Sequence, residues 1–189
     1  YAVGGSRGIP SSPLPLSSVE YMTITTANGG TQHNVTGFTV AANSLPSARW
    51  LLSAMAATNA QNSNIPPGEA YLYAGSGITS SIAVGVQDKP VYVAKIGPGG
   101  EPGVFISSGS AGASRIGGGS VLLNNQLVSF GGFQGSNPIA VAERATLSAP
   151  LSLSDFTGAV GSMLTTARAL QGTAVEGGFI YQVGGAGAG

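Results

Sequence analysis

Few residues in this chain are able to do acid–base, nucleophilic or metal chemistry. It has one histidine, His33, no cysteine, and seven acidic side chains against seven basic ones, for zero net charge over 189 residues. Without thiolates there is no disulfide framework, no Cys-based zinc or iron–sulfur site and no thiol nucleophile. One imidazole cannot build a His-rich metal cage, and His33, within Gly29-Gly-Thr-Gln-His-Asn-Val-Thr36, reads as a solvated loop residue. A Ser-His-Asp hydrolase would have to orient His33 with Asp88 or Asp155 beside an activated serine. Paired-carboxylate chemistry would have to be drawn from acidic residues scattered along the chain. No catalytic, metal-binding or cofactor-binding residue is assigned, and the chain is read as non-enzymatic.

The charged residues that stand out do so by position. Arg115 and Arg168 each lie 16 residues before a small–Gly pair, Gly131-Gly132 and Gly184-Gly185. Arg49 lies 25 residues before Ala74-Gly75, and the nine extra residues match the polar, proline-ended insertion Asn59-Ala-Gln-Asn-Ser-Asn-Ile-Pro-Pro67. The pairs close four similar segments: Tyr1-Ala-Val-Gly-Gly5, with Gly4 and Gly5, then Tyr71-Leu-Tyr-Ala-Gly75, Val128-Ser-Phe-Gly-Gly132 and Tyr181-Gln-Val-Gly-Gly185. Two glutamates recur in the same units, Glu20 in Val19-Glu-Tyr-Met-Thr-Ile24 and Glu143 in Ala142-Glu-Arg-Ala-Thr-Leu147, while Val91-Tyr-Val-Ala-Lys-Ile96 has Tyr92 in their place. A guanidinium placed once per unit is expected to be mostly buried, hydrogen-bonded to a carboxylate or to backbone carbonyls, with Glu20 or Glu143 as partner.

The elements that must position these residues follow from the same recurrence. Each unit reads as an alternating strand with Glu or Tyr, a turn, a phenylalanine (Phe38, Phe105, Phe156), the Arg, a strand such as Gly118-Gly-Ser-Val-Leu-Leu123, a turn at Asn124-Asn125, and the strand that ends at small–Gly. Two stretches have helix-forming composition, 47–57 and 155–170. Register with the other copies argues strand for the first, around Met55, and leaves a short helical turn within the second. Glycine pairs serve a repeat where the backbone must take positive φ or approach a neighbour closely. Asn34-Val-Thr36 fits the N-glycosylation pattern, and Asn34 is expected in a hairpin loop.

This arrangement resembles kelch-type β-propeller repeats, in the variety found in bacterial extracellular proteins, whose units read V-E-x-A-x-I, F, L-x-x-A-R and I-Y-x-x-G-G. The last copy here is Ala142-Glu-Arg-Ala-Thr-Leu147, Phe156, Leu164-Thr-Thr-Ala-Arg168 and Phe179-Ile-Tyr-Gln-Val-Gly-Gly185. The resemblance implies one all-β domain over 1–189, in approximate units 6–75, 76–132 and 133–185 with a Gly/Ala tail at 186–189, and about three four-stranded blades. Closed propellers use about four to eight blades. Three periods are therefore expected to belong to a larger ring, or to be completed by self-association. Copper-radical sugar oxidases share a kelch-like propeller, but no Cys is present to crosslink a tyrosine.

Composition narrows the partners. Only 7% of residues are charged while 42% are apolar, so the chain can bury a core and presents a largely uncharged Ser/Thr/Asn surface. Nucleic acid is excluded as a partner because no Lys/Arg cluster is present to neutralise phosphates. No apolar run approaches the roughly 18 to 20 residues needed to cross a bilayer. The expectation is an extracellular or cell-surface binding or adhesion module for carbohydrate or protein. The alternatives are a structural subunit of a cell-surface or filamentous assembly, and the propeller domain of an extracellular enzyme.

Overall fold

The computed structural model describes residues 1–8, 11–27, 32–79, 89–112, 115–158 and 164–187, without the side chains of 26–27 and 32–33. Among them every strand pairing is antiparallel and no helix occurs. Two sheets have four strands: Ser53–Thr58 (β6), Ala70–Gly75 (β7), Pro90–Ile96 (β8) and Ile106–Ser110 (β9), then Gly119–Leu123 (β10), Gln126–Phe130 (β11), Ala142–Ala149 (β14) and Ser152–Leu153 (β15). They are flanked by a three-stranded sheet of Ala2–Val3 (β1), Val19–Tyr21 (β2) and Thr39–Val40 (β5), and by a two-stranded one of Gly172–Glu176 (β17) and Phe179–Val183 (β18). Short pairings join Ile24–Ala27 (β3) to Gln32–Val35 (β4), Phe133–Gln134 (β12) to Asn137–Pro138 (β13), and Arg168–Ala169 (β16) to Ala186–Gly187 (β19).

The sheets pack face on face in chain order. Val19 and Val3 of the first meet Leu72, Ala74 and Tyr92 of the second. Tyr71, Tyr73 and Val93 on the other side of the second meet Leu122, Leu127 and Leu147 of the third. Val121, Val128 and Phe130 of the third meet Val175 and Ile180 of the fourth. Strand alternation makes this possible: in β11, Leu127 faces one neighbour and Val128 the other, so a central strand must be apolar on both sides. Each buried Leu, Ile or Phe contributes roughly 1.5–3 kcal/mol of transfer free energy.

Local composition is overruled at 47–57. Its Ala and Met are good helix formers, yet Met55 lies in β6, which pairs with β7 over six residues, and Leu51 has φ of 54°, incompatible with a continuing right-handed helix. In the second helix-prone stretch, residues 159–163 lie outside those described, and Arg168–Ala169 is strand. The run 19–24 is broken rather than one strand, since β2 stops at Tyr21 and β3 begins at Ile24. His33 and Asn34 sit within β4, not in the loop of its hairpin, and Asn34 is exposed there. Ala186 and Gly187 form β19 instead of a free tail. Phe105 and Phe156 are buried on the sheet before their own, whereas Phe38 is 53% exposed because no sheet precedes its own among the described residues.

Hydrogen-bond register corrects one repeat anchor. Gly119 pairs with Phe130, Gly172 with Val183 and Ser53 with Gly75, so Gly75 corresponds to Phe130 and Val183, the last residues before the pairs. The second pair is therefore Ser76-Gly77, not Ala74-Gly75. Its φ values of 61° and 90° match 61° and 91° at Gly131-Gly132, 70° and 95° at Gly184-Gly185, and 60° and 105° at Gly4-Gly5. Two residues after each repeated arginine, Leu51, Gly117 and Leu170 take one further equivalent seat, also left-handed, at φ of 54°, 62° and 59°. The sheets also straddle residues 75/76 and 132/133, each beginning just after an Arg.

Ser76 is the non-glycine member of the first left-handed seat. Ser76→Gly should hold or raise the urea midpoint, relieving up to about 1 kcal/mol of left-handed strain. Gly131→Ala, whose Cβ would lie 2.6 Å from the Arg168 carbonyl oxygen, should lose more than the left-handed cost of about 1–2 kcal/mol. Equal losses from the two changes would show that these residues do not share a seat.

Candidate functional site

The repeated arginines occupy one position in successive sheets, Arg49, Arg115 and Arg168 each lying four residues before the strand that begins at Ser53, Gly119 or Gly172. Arg115 Nη1 donates to the carbonyls of Gly131 at 3.0 Å and Val141 at 3.2 Å, and Nη2 donates to Glu143 Oε2 at 2.9 Å. One guanidinium thereby ties the ends of β10, β11 and β14 together. Arg49 does the same in the preceding sheet, with Nη1 on the carbonyls of Ser76 at 3.1 Å and Pro90 at 3.3 Å and Nη2 on Ser47 Oγ at 2.7 Å. Where Arg115 meets Glu143, Arg49 lies 4.5 Å from the centre of the Tyr92 ring, a cation–π contact. Arg168 donates to the Gly184 carbonyl at 3.3 Å and is only partly buried.

These side chains are clamps rather than an anion-binding channel. Arg49 and Arg115 are 0% and 1% exposed, with donors spent on carbonyls that would otherwise be orphaned. Burial holds the Arg115 pKa below its usual value, with the Glu143 charge and hydrogen bond opposing that shift, and a guanidinium stays charged even so. Of the two glutamates, Glu143 meets an arginine and Glu20 meets no basic side chain among the described residues.

Gly4-Gly-Ser-Arg-Gly8 has the Gly-x-Ser-x-Gly spacing of a hydrolase elbow, a match that repeat-based reading of the Gly pair passes over. Ser6 Oγ instead accepts hydrogen bonds from the backbone N–H groups of Gly8 at 3.2 Å and Leu14 at 3.1 Å, and Ser6 forms a bridge with Pro15. Asp88 and the His33 side chain lie outside what is described, and Asp155 is exposed. Among the described residues no three His, Asp or Glu side chains converge as metal ligands, and no helix is long and apolar enough to cross a membrane.

A surface cleft of about 590 Å³ lies where the 97–103 turn of the β8–β9 hairpin docks on the first sheet, lined by Tyr21, Asn43, Lys95 and Glu101. Glu101 Oε1 accepts the Ala42 N–H at 2.8 Å, Asn43 Nδ2 donates to the Pro102 carbonyl at 3.2 Å, and the Tyr1 hydroxyl donates to the Gly100 carbonyl at 2.7 Å. Tyr1 stacks on Tyr21 with ring centres 6.5 Å apart, and burial followed by proximity to Tyr21 raises the Tyr1 pKa. Gly100 takes φ of 86°, so the turn accommodates a glycine there. Lys95 pairs with Glu69 at 2.5 Å, and Lys95 with the Tyr71 hydroxyl holds the Glu69 carboxyl below its usual range. Sequence reasoning reads 97–100 only as a turn, because the contacts that make the cleft join residues 59 apart. A second cleft, of about 370 Å³, is lined by amides from two neighbouring hairpin ends, among them Gln61, Asn62 and Asn125.

No protein-family model matches the chain, and comparison with curated proteins finds no match.

Removing one member of a buried pair strands the other charge, so Arg115→Ala should destabilise by about 3 to 5 kcal/mol. Lys95→Ala, at the exposed Glu69 pair, should cost about 0 to 1 kcal/mol. Comparable urea midpoints for the two variants would contradict the clamp. Burial, with the Glu69 contact, raises the Tyr71 pKa to about 12, and burial raises that of Tyr73 further still. Both folded-state values exceed the ordinary tyrosine value near 10, so the stability they contribute is complete below about pH 10 and declines above it. Phenolate absorbance should show these two rings titrating last, and full ionisation of all tyrosines near pH 10 in folded protein would refute it.

Proposed function

We propose that the chain is a kelch-type β-propeller segment that serves as a non-enzymatic extracellular binding module, with a carbohydrate held at the Tyr21 cleft. The observation that carries this reading is the cleft itself, in which an aromatic ring stands among an amide, a carboxylate and an ammonium on a rigid sheet. Sugars offer apolar C–H faces and many hydroxyls, and such a mixture of ring and hydrogen-bonding groups complements both. Support for the propeller comes from four sheets packed in series, each with the same left-handed pair, two of them of four strands with a buried arginine at the same corner. Support for a module meeting its ligand without strong electrostatics comes from the 7% charged composition. The extracellular setting follows from the resemblance to bacterial extracellular repeats.

The reading is tested by retention on a glycan array followed by titration with the best glycan. Tyr21→Leu keeps apolar bulk but removes the ring, and should weaken binding roughly 2- to 10-fold, the worth of a stacked ring at about 0.5–1.5 kcal/mol. An array without retained glycans, or affinity indifferent to Tyr21→Leu, would overturn it.

A further inference from the structure

The fourth sheet presents a face that every other sheet covers. In β18 the side turned toward the third sheet is half-buried, while Phe179, Tyr181 and Val183 on the far side are 68%, 49% and 72% exposed. In the third sheet the equivalents of Tyr181 and Val183 are Val128 and Phe130, at 6% and 1%. The outer edge of β18 is also open: β11 pairs on one side with β10 and on the other with β14, whereas β18 pairs only with β17 among the described residues.

The strand type that fits this edge is known from the third sheet. There Phe130 pairs with Ala142 and Ser129 with Glu143. In the first sheet Val3 pairs with Val19 and Ala2 with Glu20, so β2 is the counterpart of β14, and β1 sits where β18 would sit. Residues 1–5 and 181–185 are Tyr-Ala-Val-Gly-Gly and Tyr-Gln-Val-Gly-Gly, the same at four of five positions. The charges are complementary too. Among the described residues Arg168 has the seat of Arg115 without a carboxylate, and Glu20 has the seat of Glu143 without an arginine.

From this juxtaposition we propose that the protein associates head to tail by strand exchange: residues 181–185 of one copy displace residues 1–5 of a second copy, and Arg168 of the first pairs with Glu20 of the second. The occupant of the open edge is a second copy of this chain. β18 then pairs with β2 as Val183 to Val19 and Gln182 to Glu20. The exchange exchanges like for like, Val183 entering the seat from which Val3 packs near Leu72 and Ala74. It gains a longer strand, since β18 has five residues and β1 two. Backbone hydrogen bonds continue across the junction in the pattern already present. Gly117 N–H donates to the Leu51 carbonyl and Leu170 N–H to the Gly117 carbonyl, and the Leu170 carbonyl is the next acceptor of that series. Likewise the Gly5 N–H donates to the Arg49 carbonyl, and Gly185 is its equivalent. The contact is heterologous, so it generates closed rings or open series.

The test is mass in solution across about a hundredfold range of concentration, by light scattering and sedimentation. A species of twice 18.6 kDa or more is expected. A closed dimer would also fit the propeller reading, on which only ring closure rests; longer open series would support the junction while removing the ring. Glu20→Arg and Arg168→Glu should each weaken association at least about tenfold, by opposing like charges across the junction. An equimolar mixture of these two variants should restore it, because each junction then joins opposite charges. Asp155→Arg, an exposed charge change beside the third sheet, should leave association intact. A monomer at every concentration, or assembly indifferent to both junction charges, overturns the proposal, whatever the glycan array shows.

Discussion

A buried guanidinium at the corner of each central sheet is the interaction on which the remaining structure depends. Arg49 and Arg115 each reach the carbonyl that ends the second strand and the carbonyl that begins the third, so one planar group sews three strands at one end. Those carbonyls are turned inward by the left-handed pair that follows the second strand, and without a donor they would be buried and unsatisfied. The ammonium of a lysine would not replace this, because the fixed fork of the guanidinium serves two carbonyls while its charge and flat face remain open to a further partner. The third partner is free to vary. Glu143 supplies a charge-assisted bond and Tyr92 a ring face, and both lie at the same register position.

The second constraint is the left-handed backbone that surrounds this clamp. Ser76-Gly77, Gly131-Gly132 and the residues Leu51, Gly117 and Leu170 adopt positive φ at matched points. They let the chain leave one sheet and reach the next, with the N–H of Gly77 donating to the Arg115 carbonyl and that of Gly132 to the Arg168 carbonyl. Sheet-to-sheet contact is then completed by apolar faces, which is why low charge and a high fraction of Val, Leu and Ala suit this chain. Leu51 and Leu170 bear left-handed strain where Gly117 does not, which the neighbouring hydrogen bonds offset.

A rigid stack of this kind leaves its turns to meet other molecules. The 97–103 turn is held down by Glu101, Asn43 and Tyr1, so the cleft beside Tyr21 is shaped before any ligand arrives. Pre-formed sites avoid the entropy of ordering loops on binding. On the proposed reading, the scaffold supplies position and the cleft supplies chemistry, and the buried charges take no part in recognition.

The all-β character, the recurring arginine and the tight turn at Asn124-Asn125 are legible from the sequence, because period-2 alternation and turn chemistry are local properties. So is the strand at Met55, once its register with other copies outweighs the helix propensity of alanine. The glycine pair of the second unit is not legible in the same way: Ala74-Gly75 imitates the other copies in composition, and only pairing of Ser53 with Gly75 shows that the left-handed turn falls two residues later, on Ser76-Gly77. Recurrence along the chain identifies Glu20, Glu143 and three arginines as a set, yet which of them meet depends on how strands straddle the units. Tertiary structure joins Arg115 to Glu143 and Arg49 to Tyr92, and it assembles the Tyr21 cleft from residues far apart in sequence. The physical reason is that side-chain spacing is set by the covalent chain, while hydrogen-bond register and face-to-face packing are set by whichever strands come together.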